Sequence, residues 1–371
     1  MKASALALLL SAGLLAVGAS PAASGWPERL SRRVDSALAA FDGDLSLYVR
    51  DVATGEEYAH DARTPTYLSS AIKVLVMLEV LRQVDAGQLR LEDRVVFGPD
   101  DVRDGVGPVK RGPPGRVFTV RQLLALMMDY SENAAADLLM GKVGLDRLNE
   151  LPRQRGVAFS EIDTLLGERR RIWAELDPKG ASLSGQQILA LGDEPNPDAR
   201  GRLFSQMVGH TPPFTGADVQ RAFQSFYAKR INSAPMREMG RLLEQVARCE
   251  GLSPSSCRLA RELMSGCRTG AGRIRAGVPR DVEWDHKTGT QEHRACDVGI
   301  LYPRPDHPVV VAACTRDFQD VRDAERLLRE VGAAVWQTLG RSLLAARPAP
   351  KEPRPPPGGE RRVKAASPPV P

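Results

Sequence analysis

The chain has 371 residues, 42% of them hydrophobic and 26% charged, proportions of a folded globular protein that exclude a wholly disordered or membrane-embedded chain. The net charge of +5 is mild for this length, and no basic patch interleaved with aromatics goes with it, so no nucleic-acid partner is expected. The five histidines are scattered and the five cysteines match no zinc spacing, so no metal and no other cofactor is expected.

Residues 1–23 carry a basic Lys2, an apolar run from Ala5 to Val17 and small residues toward the end, the pattern of a secretory signal peptide too short for a membrane anchor. Export to the bacterial periplasm is the expectation, with no integral membrane span. An odd cysteine count in an exported chain leaves at least one thiol free or paired with another chain. Cys249 and Cys257 flank a short turn, where a local disulfide and two buried free thiols are both open readings.

Next, Leu30, Val34, Leu38 and Phe41 share one helical face, and residues 44–62 alternate as two strands about a Thr54-Gly55 turn. Residues 70 to about 86 form an apolar helix ended by Gly87, and 92–118, rich in Gly, Pro and charge, read as loop. Helical periodicity resumes at 119–131 and 133–143. Between 177 and 232 the spacing predicts two short helices, in LSGQQILALG and TGADVQRAFQSFYAKRI, joined by a segment that begins with the polar DEPNPDARGRL. Helices return at MREMGRLLEQVARC and SPSSCRLARELMSG; three β-rich runs follow at 281–290, 296–303 and 308–315, and 319–345 is an amphipathic helix. The Pro-rich basic tail, 346–371, cannot bury enough apolar surface to fold.

Strands at both ends with helices between them predict an α+β domain over residues 24–345. Its antiparallel sheet is built from N- and C-terminal segments and flanked by terminal helices. An all-helical subdomain is inserted at about 70–281 and enlarged near 177–232. A monomer is expected.

The chemistry starts in SSAIKVLVMLEV, where Lys73 sits inside an apolar run three positions after Ser70. That spacing puts both side chains on one helical face, and a serine hydroxyl needs a base within reach to act as a nucleophile. A helix apolar nearly all round is buried, and desolvation disfavours the ammonium, so Lys73 is either a base of lowered pKa or a paired cation. Main-chain N–H groups at the helix start would favour an oxyanion on Ser70. Ser69 lacks the spacing and reads as a residue of the helix start. The competing reading makes Ser70 a helix cap and lets Lys73 reach the surface.

Two further motifs follow in order: Ser131-Glu132-Asn133 at the start of a helix and Lys287-Thr288-Gly289 on a strand. S-x-x-K, S-x-N and K-T-G in this order form the signature of penicillin-recognising serine enzymes. The sequence resembles the class A β-lactamase family over about residues 26–342, poorest near 177–232, with GRIRAGVPRDVEWDHKTGT, DVGILYP and VVVAACT matching the run into its last three strands.

The resemblance implies that Ser70 is acylated, that Lys73 is its proton partner and that Ser131 relays a proton to the leaving nitrogen. It implies that Asn133 holds the substrate's side-chain amide, that Lys287 and Thr288 of Lys287-Thr288-Gly289 bind its carboxylate, and that the N–H groups of Ser70 and Thr290 form the oxyanion hole. Arg273 matches an arginine that supports carboxylate binding, with a surface ion pair as the alternative. His286 falls on the opposite strand face from Lys287 and reads as structural.

Two departures stand out. Glu132 occupies the middle of S-x-N, where the family often has Asp or Gly. In ERRRIWAELDP, an ungapped match to the family's Ω loop puts Trp173 where the deacylating carboxylate belongs, and a tryptophan cannot activate water. A two-residue shift offers Glu175, placed slightly ahead; Glu168 fits by distance from Ser131.

Three functions compete. The first is a secreted serine β-lactamase. The second is a penicillin-binding protein acting on D-alanyl-D-alanine peptidoglycan peptides, expected if no carboxylate serves water. The third is a non-catalytic sensor of β-lactams or muropeptides.

Overall fold

The structure, a computed structural model, describes residues 25–110 and 112–345. The signal peptide over 1–23 and the tail over 346–371 lie outside the described residues. Helix α1 (Trp26–Leu38) leads into a hairpin of β1 (Asp44–Asp51) and β2 (Glu57–His60), turned through Gly55. The short β3 (Pro65–Tyr67) is followed by a single 3-10 turn, Ser69–Ile72, that runs directly into α2 (Lys73–Asp85).

The segment read as loop contains a small ribbon of β4 (Arg94–Val96) and β5 (Val117–Thr119). Its second strand delivers Thr119, which caps α3 (Val120–Asp129) in a reciprocal box with Gln122. Then come α4 (Asn133–Val143), α5 (Leu145–Gln154) and α6 (Leu165–Ala174).

The enlarged part holds three helices rather than two. Ser184 caps α7 (Gly185–Asp193) and Thr215 caps α9 (Gly216–Ala228), while the segment expected to join them opens with α8 (Pro197–Val208). Asn196 as cap and Pro197 in the first turn are a strong helix start, so the turn-like DEPNP begins a helix instead of avoiding one. Strand β6 (Ser233–Pro235) pairs with β3, and α10 (Met236–Ala247), α11 (Pro254–Ser265) and the short α12 (Ile274–Gly277) return the chain to the sheet.

The last strands are β7 (Glu283–Gln291), β8 (Arg294–Arg304) and β9 (His307–Arg316), followed by α13 (Val321–Val335), a π-type turn and α14 (Arg341–Ala345). The five-stranded antiparallel sheet has the order β2-β1-β9-β8-β7. The N-terminal hairpin therefore joins the C-terminal strands through β1 and β9, and β7 forms an edge. The α+β architecture predicted from the sequence is the one observed.

The sheet is covered on both faces. Leu45, Leu47 and Val49 of β1 pack with α1 and α13, whereas Tyr48, pointing the other way, joins the core that contains α2 and α10. A third cluster binds α6, α7, α8 and α9 around Trp173 and Phe204, whose rings lie 4.7 Å apart. Cys249–Cys257 and Cys296–Cys314 are disulfides, the second joining directly opposed residues of β8 and β9; Cys267 is free.

Gly240 marks where α10 lies closest to the sheet, since a Cβ there would stand 2.1 Å from the Tyr48 ring. That ring is 1% exposed, and its hydroxyl donates to Glu57 at 2.6 Å. Helix propensity alone would favour alanine by about 1 kcal/mol, but overpacking wins: Gly240→Ala should destabilise the fold by about 1–3 kcal/mol in urea unfolding.

Candidate active site

Helix α2 is buried over ten of its residues, from Lys73 through Gln83, which explains how Lys73 comes to have no exposed surface. Its Nζ lies 3.0 Å from Ser70 Oγ, 2.6 Å from the Ser131 carbonyl oxygen, 3.2 Å from Ser131 Oγ and 2.7 Å from Asn133 Oδ1, four oxygens around at most three N–H bonds. A lysine has only donors, so the last contact orients the Asn133 amide. Its Nδ2 then donates to the Asp104 carbonyl at 2.9 Å. Burial first, and then the nearby Lys287 cation, hold Lys73 well below the usual lysine range.

Lys287 approaches from the opposite wall. Its Nζ donates to Ser131 Oγ at 2.9 Å, so the two lysines share one hydroxyl. Burial lowers Lys287 to about 8, with Arg273 acting in the same sense and Cys267 and Asp297 opposing it.

Edge strand β7 reaches the nucleophile turn because residue 289 is glycine: a Cβ there would meet the Leu68 carbonyl at 2.4 Å. Ser69 Oγ donates to the Thr290 carbonyl at 2.8 Å and locks strand and turn together. Two non-glycine residues are left-handed at this junction, Ser69 with φ 50° and Ser131 with φ 61°. Such conformations cost of order 1 kcal/mol or more each and persist where surrounding bonds fix them.

Arg273 is 3% exposed and not in a simple surface pair. Its guanidinium donates to the carbonyls of Gly289 and Cys296, each at 2.9 Å, and to Thr290 Oγ1 at 2.7 Å, bracing the K-T-G strand; Glu325 pairs with its Nε at 3.3 Å. Glu132 is buried and accepts from Val109 N at 2.8 Å, which ties the S-x-N turn to the loop over the cleft.

The two candidate carboxylates separate. Residues 165–174 form α6 where the resemblance implies a loop, and the seven residues from Glu168 to Glu175 span about 10 Å of rise. Glu175 ends at the outer side, bonded to Ser225 Oγ at 2.5 Å and paired with the Lys229 ammonium, away from the cleft. Trp173 serves the third apolar cluster.

Glu168 is 1% exposed and lines the cleft that holds Ser70. It accepts from Tyr67 Oη at 2.5 Å and Asn232 Nδ2 at 2.9 Å, and pairs with Arg169. Burial raises its pKa, opposed by the Arg169 cation and the two hydrogen bonds. Its place is set by the start of α6, where Asp137 of α4 accepts from Leu165 N at 2.7 Å and Leu166 N at 3.0 Å. The first choice from the sequence, Glu175, is thus not brought to the cleft, whereas Glu168 is.

The cleft has a volume of about 510 Å³ and is lined by Ser70, Ser131, Asn133, Glu168, Thr288 and Thr290, among others. Tyr67, Asp104, Arg169 and Asn232 escaped the sequence reading. Asp104 pairs with Arg169 at 2.7 Å. The ERRR run was the one available signal for Arg169, since it sets a basic residue beside a buried acid.

An antiparallel sheet with an inserted helical subdomain, and two buried lysines meeting two serines at their junction, define a penicillin-recognising serine-enzyme architecture. The family model described as "Beta-lactamase enzyme family" matches residues 29–339, and the chain belongs to that family. A β-lactamase of Streptomyces albus G is 24% identical over 325 residues, 85% of this chain and 87% of the relative. Among solved structures, an ancestral class A β-lactamase is 23% identical with a TM-score of 0.63, covering 85% of this chain and 100% of the other. A point mutant of PBP-A, in an acyl-enzyme complex with penicillin G, is 18% identical with a TM-score of 0.62 over 85% of this chain and 97% of the other. At these identities the structural likenesses speak for the fold alone.

Arg169 stands between two buried carboxylates, so Arg169→Met should destabilise the protein by about 3–5 kcal/mol, because it leaves Glu168 and Asp104 uncompensated. Lys229→Met, which removes the partner of the outer Glu175, should change stability by no more than about 1 kcal/mol. Urea unfolding of the two variants checks the contrast; equal effects would contradict it.

Proposed function

We propose that this chain is an exported, monomeric serine β-lactamase that opens the lactam ring through an acyl-enzyme on Ser70. The observation that carries the reading is the contact of the buried Lys73 Nζ with both Ser70 Oγ and Ser131 Oγ. In this mechanism, neutral Lys73 takes the Ser70 proton as Oγ attacks the lactam carbonyl. The N–H groups of Ser70 and Thr290 receive the oxyanion. Ser131, between the two lysines, passes a proton to the departing ring nitrogen. Lys287 and Thr288, braced by Arg273, bind the substrate carboxylate, and Asn133 binds the side-chain amide.

Deacylation falls to Glu168. It takes a proton from a water that attacks the ester and gives that proton up to Ser70 Oγ as the ester bond breaks, while the proton Lys73 took during acylation has replaced the one Ser131 gave to the ring nitrogen. The raised pKa of a buried carboxylate suits a base.

One observation favours a second reading, a penicillin-binding protein that processes D-alanyl-D-alanine peptides. Glu168 is held by Tyr67, Asn232 and Arg169, and these donors stabilise its charged form. A carboxylate so occupied takes a proton from water slowly, which prolongs the acyl-enzyme.

Turnover of a chromogenic cephalosporin, together with intact mass after penicillin, separates the two. The lactamase reading expects turnover with little adduct, loss of activity by a factor of about 10³ or more in Ser70→Ala, and a lasting adduct in Glu168→Gln but not in Glu175→Gln. A lasting adduct without turnover in the unmutated protein supports the peptidase, and neither turnover nor adduct contradicts both.

A further inference from the structure

Beside the K-T-G strand lies a second constellation, which adjoins the Ser70 cleft at Thr269. Cys267, just past α11, is the free thiol among the described residues and is half-buried. His286 of β7 lines the same cavity as Cys267 and bonds through Nδ1 to Asp297 Oδ1 of β8 at 2.7 Å, which leaves its Nε2 uncommitted to that carboxylate. Asp297 is fully buried and fixed further by accepting from Ile274 N at 3.1 Å. Cys267 Sγ also lies 3.3 Å from Thr269 Oγ1, whose hydroxyl contacts Thr288 Oγ1.

These groups open onto a cavity of about 400 Å³ lined by Cys267, Thr269, Trp284 and His286. Trp284 is 4% exposed, and its ring lies tilted against that of His286 with centroids 5.4 Å apart.

Burial alone would raise the Cys267 thiol, but His286, Lys287 and Thr269 bring it down to about 6. Burial alone would lower His286, but Asp297 and the thiolate lift it to about 9. The remaining charged groups at this cavity are Arg268, Arg275, Arg280, Asp281 and Glu283. A thiol that shares a cavity with a histidine oriented by a buried carboxylate is the arrangement of an activated cysteine, not of an inert core thiol.

We propose that Cys267, with His286 and Asp297, forms a thiol-modification site that captures a low-molecular-weight disulfide from the cavity. The Cys267 thiolate attacks one sulfur of R–S–S–R, a Cys267–S–S–R bond forms as the old S–S bond breaks, and the departing thiolate takes the proton from the His286 imidazolium. The reacting groups Cys267, His286 and Asp297 are none of those assigned to acyl transfer, so an adduct on Cys267 is read separately from turnover at Ser70.

The test uses the folded chain, with both disulfides intact, and dithiobis(nitrobenzoate) as the small disulfide, followed by released thiolate and intact mass from about pH 5 to about pH 9. The expected result is one adduct, on Cys267, with a rate half-maximal near pH 6. Cys267→Ser should give none. In His286→Asn the midpoint should move toward the ordinary thiol range, and the rate at pH near 6.5 should fall about fivefold as thiolate fraction is lost and intrinsic nucleophilicity partly offsets it. No adduct on the folded protein, or a rate that rises only near pH 8.5 as for an ordinary thiol, overturns the proposal. Because that outcome is read on the unmutated chain, it does not depend on how well the histidine variant folds.

Discussion

Lys73 has no exposed surface, and an ammonium so placed costs several kcal/mol unless it is fully bonded or gives up its proton. Lys73 is well bonded, and burial holds its pKa well below the usual lysine range. Oxygens of Ser70, Ser131 and Asn133 receive it, and a second buried cation, Lys287, stands across Ser131 Oγ. The surrounding backbone serves that arrangement: Ser131 is left-handed so that its carbonyl and hydroxyl both face Lys73, and Gly289 lets β7 bring Lys287 up against the nucleophile turn. The strain and the desolvation are offset by the core that α2 anchors, which reaches from the sheet to α4 and α11.

The opposite wall of the cleft departs from the pattern that the resemblance implies. A helix, α6, replaces a loop and is pinned at its start by Asp137, itself paired with Arg103 at 2.6 Å. Its first turn carries Glu168 into the cleft and its last turn carries Glu175 away. The three added helices α7, α8 and α9 bury Trp173 and hold α6 from behind. The residue that falls on the base position in an ungapped match is therefore a core residue, and a carboxylate five positions earlier takes the place in the cleft.

How much was legible in the sequence follows from which interactions are local. The α+β architecture was, because alternation and helical spacing are written over a few residues and the two ends of the chain share one strand pattern. Ser70, Lys73, Ser131, Asn133 and Lys287 were too, because each motif is short and their order is informative. The choice between Glu168 and Glu175 was not, since it depends on where α6 starts: Thr164 caps that start locally, accepting from Gly167 N at 2.9 Å, but its second anchor, Asp137 of α4, is far away in sequence. Helix α8 hid behind a Pro-rich start that reads equally as a turn. Tyr67 and Asn232 could not be found at all: each meets Glu168 across a long sequence separation and belongs to no motif. His286, read as structural, bonds the buried Asp297, and the thiol cavity it also lines is formed by residues 265–286 coming together from α11 and β7, which strand alternation alone does not reveal.

Every step assigned to Ser70 rests on Lys73 being able to give up its proton near neutral pH. An NMR titration of the lysine side chains, with Lys73 assigned through Lys73→Arg, measures this directly. Lys73 should lose its proton well below the value of about 10.4 for an exposed lysine. Titration of Lys73 together with the surface lysines would contradict the account.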